Sequence, residues 1–134
     1  MTSSELVQYL ANVIHVSRTD TQLTAAEETA LARIVADMGA KKKELKDAER
    51  LAAQPEFQAK PVGRYSEQIR NIEDMVFVAL ADGNLGEAEK ASILEFARYM
   101  RATQDQVDRI AAEAQTRATT QTATVACSSR KALT

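Results

Sequence analysis

One unit, a helix followed by an acidic turn and a second helix, is encoded twice in this chain of 134 residues. In each copy an apolar segment runs into an aspartate, a leucine follows three residues later, and a glutamate lies four residues beyond the leucine at the start of another apolar-periodic segment. The residues are Asp82, Leu85 and Glu89 in the clearer copy and Asp20, Leu23 and Glu27 in the other, 62 residues earlier. This spacing predicts an internal duplication.

Apolar residues recur at helical spacing through both copies and beyond them. When the two copies are aligned at the 62-residue offset, Leu31 aligns with Ile93 and Ile34 aligns with Phe96, so the predicted core residues of one copy align with those of the other. Only 4% of the residues are aromatic and tryptophan is absent, which leaves little material for strands. We therefore predict an all-α fold, a compact helical bundle of about six helices arranged as two pseudo-symmetric three-helix repeats.

Prolines and glycines divide the chain. Pro55, Pro61 and Gly63 fall between the two copies and predict a linker over 54–63, with repeat one at 4–53 and repeat two at 64–117. Residues 1–117 then form a single domain, and 118–134 form a polar tail without helical periodicity. Within repeat two, the segment from 65 to 81 is the most continuously apolar, which predicts the central and most buried helix.

Charge and cysteine content exclude several classes of protein. The net charge of −2 and the pI near 5.5 give no basic balance for nucleic acid. A single cysteine, Cys127, excludes an internal disulfide, and no secretory signal or membrane-spanning run follows Met1. These features predict a cytoplasmic protein that binds no nucleic acid and does not span a membrane, and they leave peripheral membrane association open. We also expect a protein partner, whose identity the sequence does not give.

The clearer acidic turn resembles the second half of a calcium-binding EF-hand loop, from Asp82-Gly83 to Glu89. The first and third ligand positions of such a loop would be Val78 and Leu80, whose side chains cannot coordinate a cation. A genuine EF-hand is therefore rejected.

A different metal site remains open. Side chains in the first turn of a helix lean toward its amino terminus, so Glu27 and Glu89 should lean toward Asp20 and Asp82. If the duplicated turns face each other across the pseudo-two-fold axis, four carboxylates converge and would bind a hard divalent cation, calcium or magnesium. The alternative is structural: Thr24 to Glu27 also forms a capping box, and Asp-Gly is an ordinary turn former.

The duplicated unit, most specific from Ala79 through Asp82-Gly83 to Glu89-Lys90, resembles the TerB family of tellurite-resistance-associated proteins. The resemblance covers most of 6–114. It implies an all-helical fold, a cytoplasmic or membrane-associated stress-response role, and an acidic site proposed to take a metal ion. By position it assigns that site to Asp82 and Glu89, with Asp20 and Glu27 in the weaker copy, where Thr21 stands in place of the family's glycine.

No catalytic set accompanies these carboxylates. His15 overlays Phe77 and is interpreted as a core or boundary residue, and Cys127 has no histidine near it in sequence. We therefore interpret the chain as a non-enzymatic helical module that binds a divalent cation through its acidic turns, in a tellurite-resistance or stress-response setting. The first alternative is a protein-interaction scaffold whose carboxylates only cap helices. The lowest-ranked alternative is a metal-assisted hydrolase.

Overall fold

The computed structural model describes residues 1–18, 23–81, 83, 85–103, 105–110, 112–113 and 116. The helices are α1 (Ser3–Ser17), α2 (Ala25–Met38), α3 (Lys42–Ala52), α4 (Tyr65–Ala79) and α5 (Glu87–Tyr99), and a sixth, α6, is helical over 105–110. The described residues contain no strand, and the predicted all-α fold is confirmed. Among the described helices, none combines the length and the hydropathy that crossing a bilayer requires.

Several of these helices begin with capping hydrogen bonds between side chains and the backbone. At α2, the Glu27 backbone N–H donates to Thr24 Oγ1 at 3.1 Å, and the Thr24 backbone N–H donates to Glu27 Oε1 at 2.9 Å. Thr103 and Gln106 exchange the same two bonds at the start of α6, at 3.2 and 2.8 Å. Each exchange satisfies backbone donors that have no partner within the helix. The capping box predicted from the sequence at Thr24 to Glu27 is confirmed.

The ends of α2 and α5 are alike although their sequences differ. Gly39, which follows α2, has a φ of +67°, and Arg101, 62 residues later, has a φ of +60°. In both places the next backbone N–H reaches back into the helix, Ala40 to the Val35 carbonyl and Ala102 to the Ala97 carbonyl, each at 3.0 Å. Glycine adopts this left-handed cap conformation without steric cost, whereas Arg101 adopts it with a Cβ atom present.

Helices α1 and α4 form the centre of the bundle. Helix α4 packs against α1, α2 and α5, while α1 also packs against α3. The prediction that α4 is the most buried helix is wrong, because α1 is buried continuously over residues 9–14 and again at Val16 and Ser17. The predicted end of α4 at 81 is also two residues late, since Leu80 caps the helix before the glycine turn.

Equivalent core positions of the two halves are buried together. Leu31 and Ile93 are 5% and 3% exposed, and Ile34 and Phe96 are 4% and 1% exposed. Helix α2 contacts α4 as well as α1, and α5 contacts α1 as well as α4. The two-repeat organisation, the domain limits and the linker boundaries stay predictions, and the predicted tail lies outside the described residues.

Four polar side chains are buried where α1 meets α4. Asn12 Nδ2 donates to Asn71 Oδ1 at 2.8 Å and to the Lys60 carbonyl at 2.7 Å, and Asn12 Oδ1 accepts from the Lys60 backbone N–H at 3.1 Å. The Tyr9 hydroxyl donates to Asp74 Oδ2 at 2.5 Å. Burial, and then the adjacent Asp74 carboxyl, raise the pKa of Tyr9 well above its usual range. We call these four side chains the polar seam.

The polar seam also follows the 62-residue offset. Tyr9 is equivalent to Asn71, and Asn12 is equivalent to Asp74, so the offset converts the Tyr9–Asp74 pair into the Asn71–Asn12 pair. A set of two contacts related in this way is expected around a pseudo-two-fold axis. It fixes which residues of α1 and α4 lie opposite each other, because any shift along either helix would leave a buried amide or carboxyl without its partner.

The amino-terminal ends of α1 and α4 lie together. The Met1 amino group is 3.9 Å from Glu67 Oε2, and the Gly63 backbone contributes a hydrogen bond that lowers the pKa of Glu5 after the larger contribution of Thr2. The two helices also meet at mid-length through the polar seam. They therefore run in the same general direction, and their carboxyl ends, Ser17 and Ala79, lie toward the same end of the bundle.

Replacing Arg101 by glycine should stabilise the protein. The left-handed backbone at this position costs a residue with a Cβ about 1 kcal/mol that glycine does not incur. We expect Arg101→Gly to raise the free energy of unfolding by about 0.5–1 kcal/mol, measured by urea denaturation. The matched control is Gly39→Ala, which should lower it by a similar amount. A destabilised Arg101→Gly protein would contradict the equivalence of the two caps.

Candidate metal centre: the acidic turns

Glu27, the first predicted ligand in the described residues, lies in the first turn of α2. It is 4% exposed. Its Oε1 atom accepts the Thr24 backbone N–H at 2.9 Å. A carboxylate offers about four acceptor positions, so this bond leaves acceptor capacity for a cation.

Glu89 occupies the equivalent position in α5 and makes the equivalent bond. Its Oε1 atom accepts the Gly86 backbone N–H at 2.9 Å, and the residue is 7% exposed. Gly86 has no side chain to return the bond, so the exchange seen at Thr24 is one-sided here. Glu89 has a further interaction beyond this cap. The two glutamates thus share residue type, helix position, burial and backbone partner.

Burial distinguishes these two glutamates from others that cap helices. Glu5, Glu44 and Glu67 each accept the N-cap backbone N–H of their own helix, at 3.1, 2.9 and 2.9 Å, yet all three are only half-buried. Capping therefore does not require a buried carboxylate. Burying one costs desolvation energy, which a cation would offset.

The glycine of the turn between α4 and α5, Gly83, has a positive φ angle. Gly83 has a φ of +94°, and its backbone N–H donates to the Leu80 carbonyl at 2.8 Å. Residues with a Cβ rarely adopt this region of backbone space. The glycine therefore makes the sharp turn that leads from α4 toward Glu89.

The other two predicted ligands, Asp20 and Asp82, lie outside the described residues. Within the described part of the chain, no three histidine, cysteine, aspartate or glutamate side chains come close enough to hold a metal. Because the described residues include only half of the predicted set, this absence does not decide whether the four carboxylates converge. The metal site of Asp20, Glu27, Asp82 and Glu89 stays a prediction, as does its calcium or magnesium ion.

Comparison with known proteins identifies the family. The family model described as "Tellurite resistance protein TerB" matches residues 7–114, which is most of the chain. The chain belongs to the TerB family. No curated protein and no solved structure matches it.

The TerB match includes both acidic turns and all of the polar seam, and it ends before the polar tail. The resemblance inferred from the duplicated acidic turns is therefore confirmed. Sequence reasoning missed the polar seam, although the 62-residue offset carried a signal, since it exchanges Tyr9 with Asn71 and Asn12 with Asp74. Cys127 lies outside the described residues.

A second site of this TerB-family chain surrounds His15. The His15 ring packs edge-on against Phe57, with 5.1 Å between ring centroids and 64° between ring planes. Ser92, Glu95 and Tyr99 of α5 line the same small cavity. His15 is half-buried, which agrees with its interpretation as a core or boundary residue.

Burial lowers the pKa of His15 from its ordinary value near 6.5, and the Glu95 charge partly opposes this effect. The imidazole is therefore neutral at pH 7. Because the folded protein binds this proton less readily than the unfolded chain, the contribution of His15 to stability is complete above pH 6.5. It is lost as the pH falls through the folded-state pKa.

Removing the Glu95 charge should lower the pKa of His15 further. The chain has one histidine, so its ring resonances are assigned without ambiguity in a pH titration followed by NMR. We expect a pKa below 6.5 in the wild-type protein and a lower value in Glu95→Gln. Glu87→Gln, which changes an exposed glutamate elsewhere on α5, is the control and should leave the titration unchanged. An unchanged or higher pKa in Glu95→Gln would show that Glu95 does not face the ring.

Proposed function

We propose that this TerB-family protein is a non-enzymatic helical module whose duplicated acidic turns bind one divalent cation, calcium or magnesium. Asp20, Glu27, Asp82 and Glu89 supply the carboxylates. Oxygen ligands of this kind suit hard cations and do not favour zinc or copper. The module acts in a tellurite-resistance or stress-response setting and works in the cytoplasm together with a protein partner; membership of the TerB family supports the tellurite-resistance setting.

The observation that carries this proposal is the matched burial of Glu27 and Glu89. They are 4% and 7% exposed, whereas the capping glutamates of the other described helices are half-buried. A buried carboxylate keeps its charge only when a partner compensates for the lost water. Each carboxylate accepts one backbone N–H, and Glu89 has a further interaction; a shared cation would add to these and compensate both charges.

The direction of α1 and α4 also supports a shared site. Their carboxyl ends, from which the chain continues into the acidic turns, lie toward the same end of the bundle. Helices α2 and α5 each contact both central helices, so Glu27 and Glu89 begin helices that pack on a common pair. This arrangement suits one ion bound between the turns.

The first alternative, a protein-interaction scaffold, keeps the same carboxylates as helix caps only. The capping bonds of Glu27 and Glu89 and the open cavity beside His15 favour it. The metal-assisted hydrolase ranks last, because it would need an enclosed substrate pocket at the carboxylates.

Calcium, or magnesium in its place, should raise the melting temperature of chelator-treated protein. A ligand that binds only the folded state at a hundredfold excess over its dissociation constant stabilises by about 2.7 kcal/mol, which corresponds to about 10 °C for a chain of this size. The test variant is Asp82→Asn with Glu89→Gln, because both replacements retain side-chain oxygens for the turn and the Gly86 cap while they remove the charges. It should lose the response to the cation.

The matched control is Glu5→Gln, which makes the same chemical change in the exposed capping box of α1. It should respond to the cation as the wild-type protein does. Without the cation, the double variant should melt no lower than wild type, because it no longer holds like charges together. Equal responses in wild type and double variant, or no response to either ion at millimolar concentration, would contradict the proposal and favour the scaffold.

A further inference from the structure

The cavity beside His15 joins three parts of the chain at one surface. Its volume is about 100 Å³. Helix α1 contributes His15, the segment between α3 and α4 contributes Phe57, and α5 contributes Ser92, Glu95, Phe96 and Tyr99. Tyr99 is 52% exposed, so much of its side chain is accessible to a ligand.

Its size restricts what can bind. Pockets for cofactors and drug-sized ligands usually measure about 300–1,000 Å³. A volume of 100 Å³ corresponds to about three molecules of liquid water, at about 30 Å³ each. The cavity therefore fits a single side-chain head group better than a cofactor.

Its electrostatics favour a cation. Among the described residues that line it, Glu95 is the one charged side chain at pH 7, because burial lowers the pKa of His15 below 6.5. The cavity also adjoins the last turns of α1 and α5, where helix dipoles contribute partial negative charge. Arg98 lies one turn beyond Glu95, but no salt bridge joins these two described residues. Glu95 is exposed, so its carboxylate is accessible to a ligand.

We infer that this cavity is a docking site for an arginine side chain presented by a partner protein. The guanidinium stacks on Tyr99 and Phe57 and donates hydrogen bonds to the Glu95 carboxylate. Arginine fits better than lysine because its planar head group both stacks on aromatic rings and pairs with a carboxylate through two N–H groups. Glu27 and Glu89 are not among the residues that line this cavity, and the inference does not depend on metal binding.

His15 provides the readout for this inference. Its ring is the single imidazole of the chain and lines the cavity, so a bound guanidinium should shift its resonances. The full-length protein is titrated by NMR with arginine capped at both ends, N-acetylarginine methylamide. The same titration uses capped citrulline, which has nearly the same shape without the charge, and spermidine, a free cation without a peptide backbone.

We expect saturable His15 shifts with capped arginine and binding of capped citrulline that is weaker by about fivefold or more. Glu95→Gln should weaken capped arginine by about three- to fivefold, and Tyr99→Leu should weaken it similarly because the stacking face is lost. Glu87→Gln, on the same helix but outside the cavity, should bind as the wild-type protein does.

Two results would overturn the inference. If capped arginine gives no His15 shift, or shifts no larger than those of capped citrulline, the cavity does not select a cation. If spermidine binds more tightly than capped arginine, the site takes a free polyamine and is not a protein-docking site. The citrulline comparison uses only wild-type protein, so it stands even if a variant folds poorly.

Discussion

The hydrogen bond that Asn12 of α1 donates to Asn71 of α4 holds together the two helices on which the rest of the bundle packs. Both amides are fully buried, and burying an amide is favourable only when its donors and acceptors are paired. The polar seam therefore allows one register of α1 against α4. Since α2 and α5 each contact both of these helices, that register also sets where Glu27 and Glu89 begin their helices.

Periodicity and capping chemistry predicted most of the fold. The capping box of α2 is a local signal, and it appears in the structure where the sequence placed it. The burial of α1 could not be predicted in this way, because its polar Tyr9 and Asn12 interrupt the apolar pattern. Their burial depends on partners 65 and 59 residues away, Asp74 and Asn71, which the pattern of a single helix does not contain.

At the candidate site, too, some features could be predicted from the local sequence and others could not. The repeated spacing predicted that two glutamates occupy equivalent first turns, because this depends only on the local sequence. That Glu27 and Glu89 are buried while Glu5 is half-buried depends on how α2 and α5 pack, which the spacing does not determine. The cavity beside His15 was equally inaccessible to pattern reasoning, since its lining comes from three segments separated by tens of residues.

The central claim is that four carboxylates from the two acidic turns share one cation. Calorimetric titration of calcium into metal-free protein tests it most directly, because it measures the number of ions bound per chain together with the affinity. The account predicts one ion per chain, and loss of that binding when either Glu27 or Glu89 alone is replaced by glutamine. Two ions per chain, one surviving each single replacement, would contradict the shared site, and the absence of saturable heat for both calcium and magnesium would contradict metal binding by the turns.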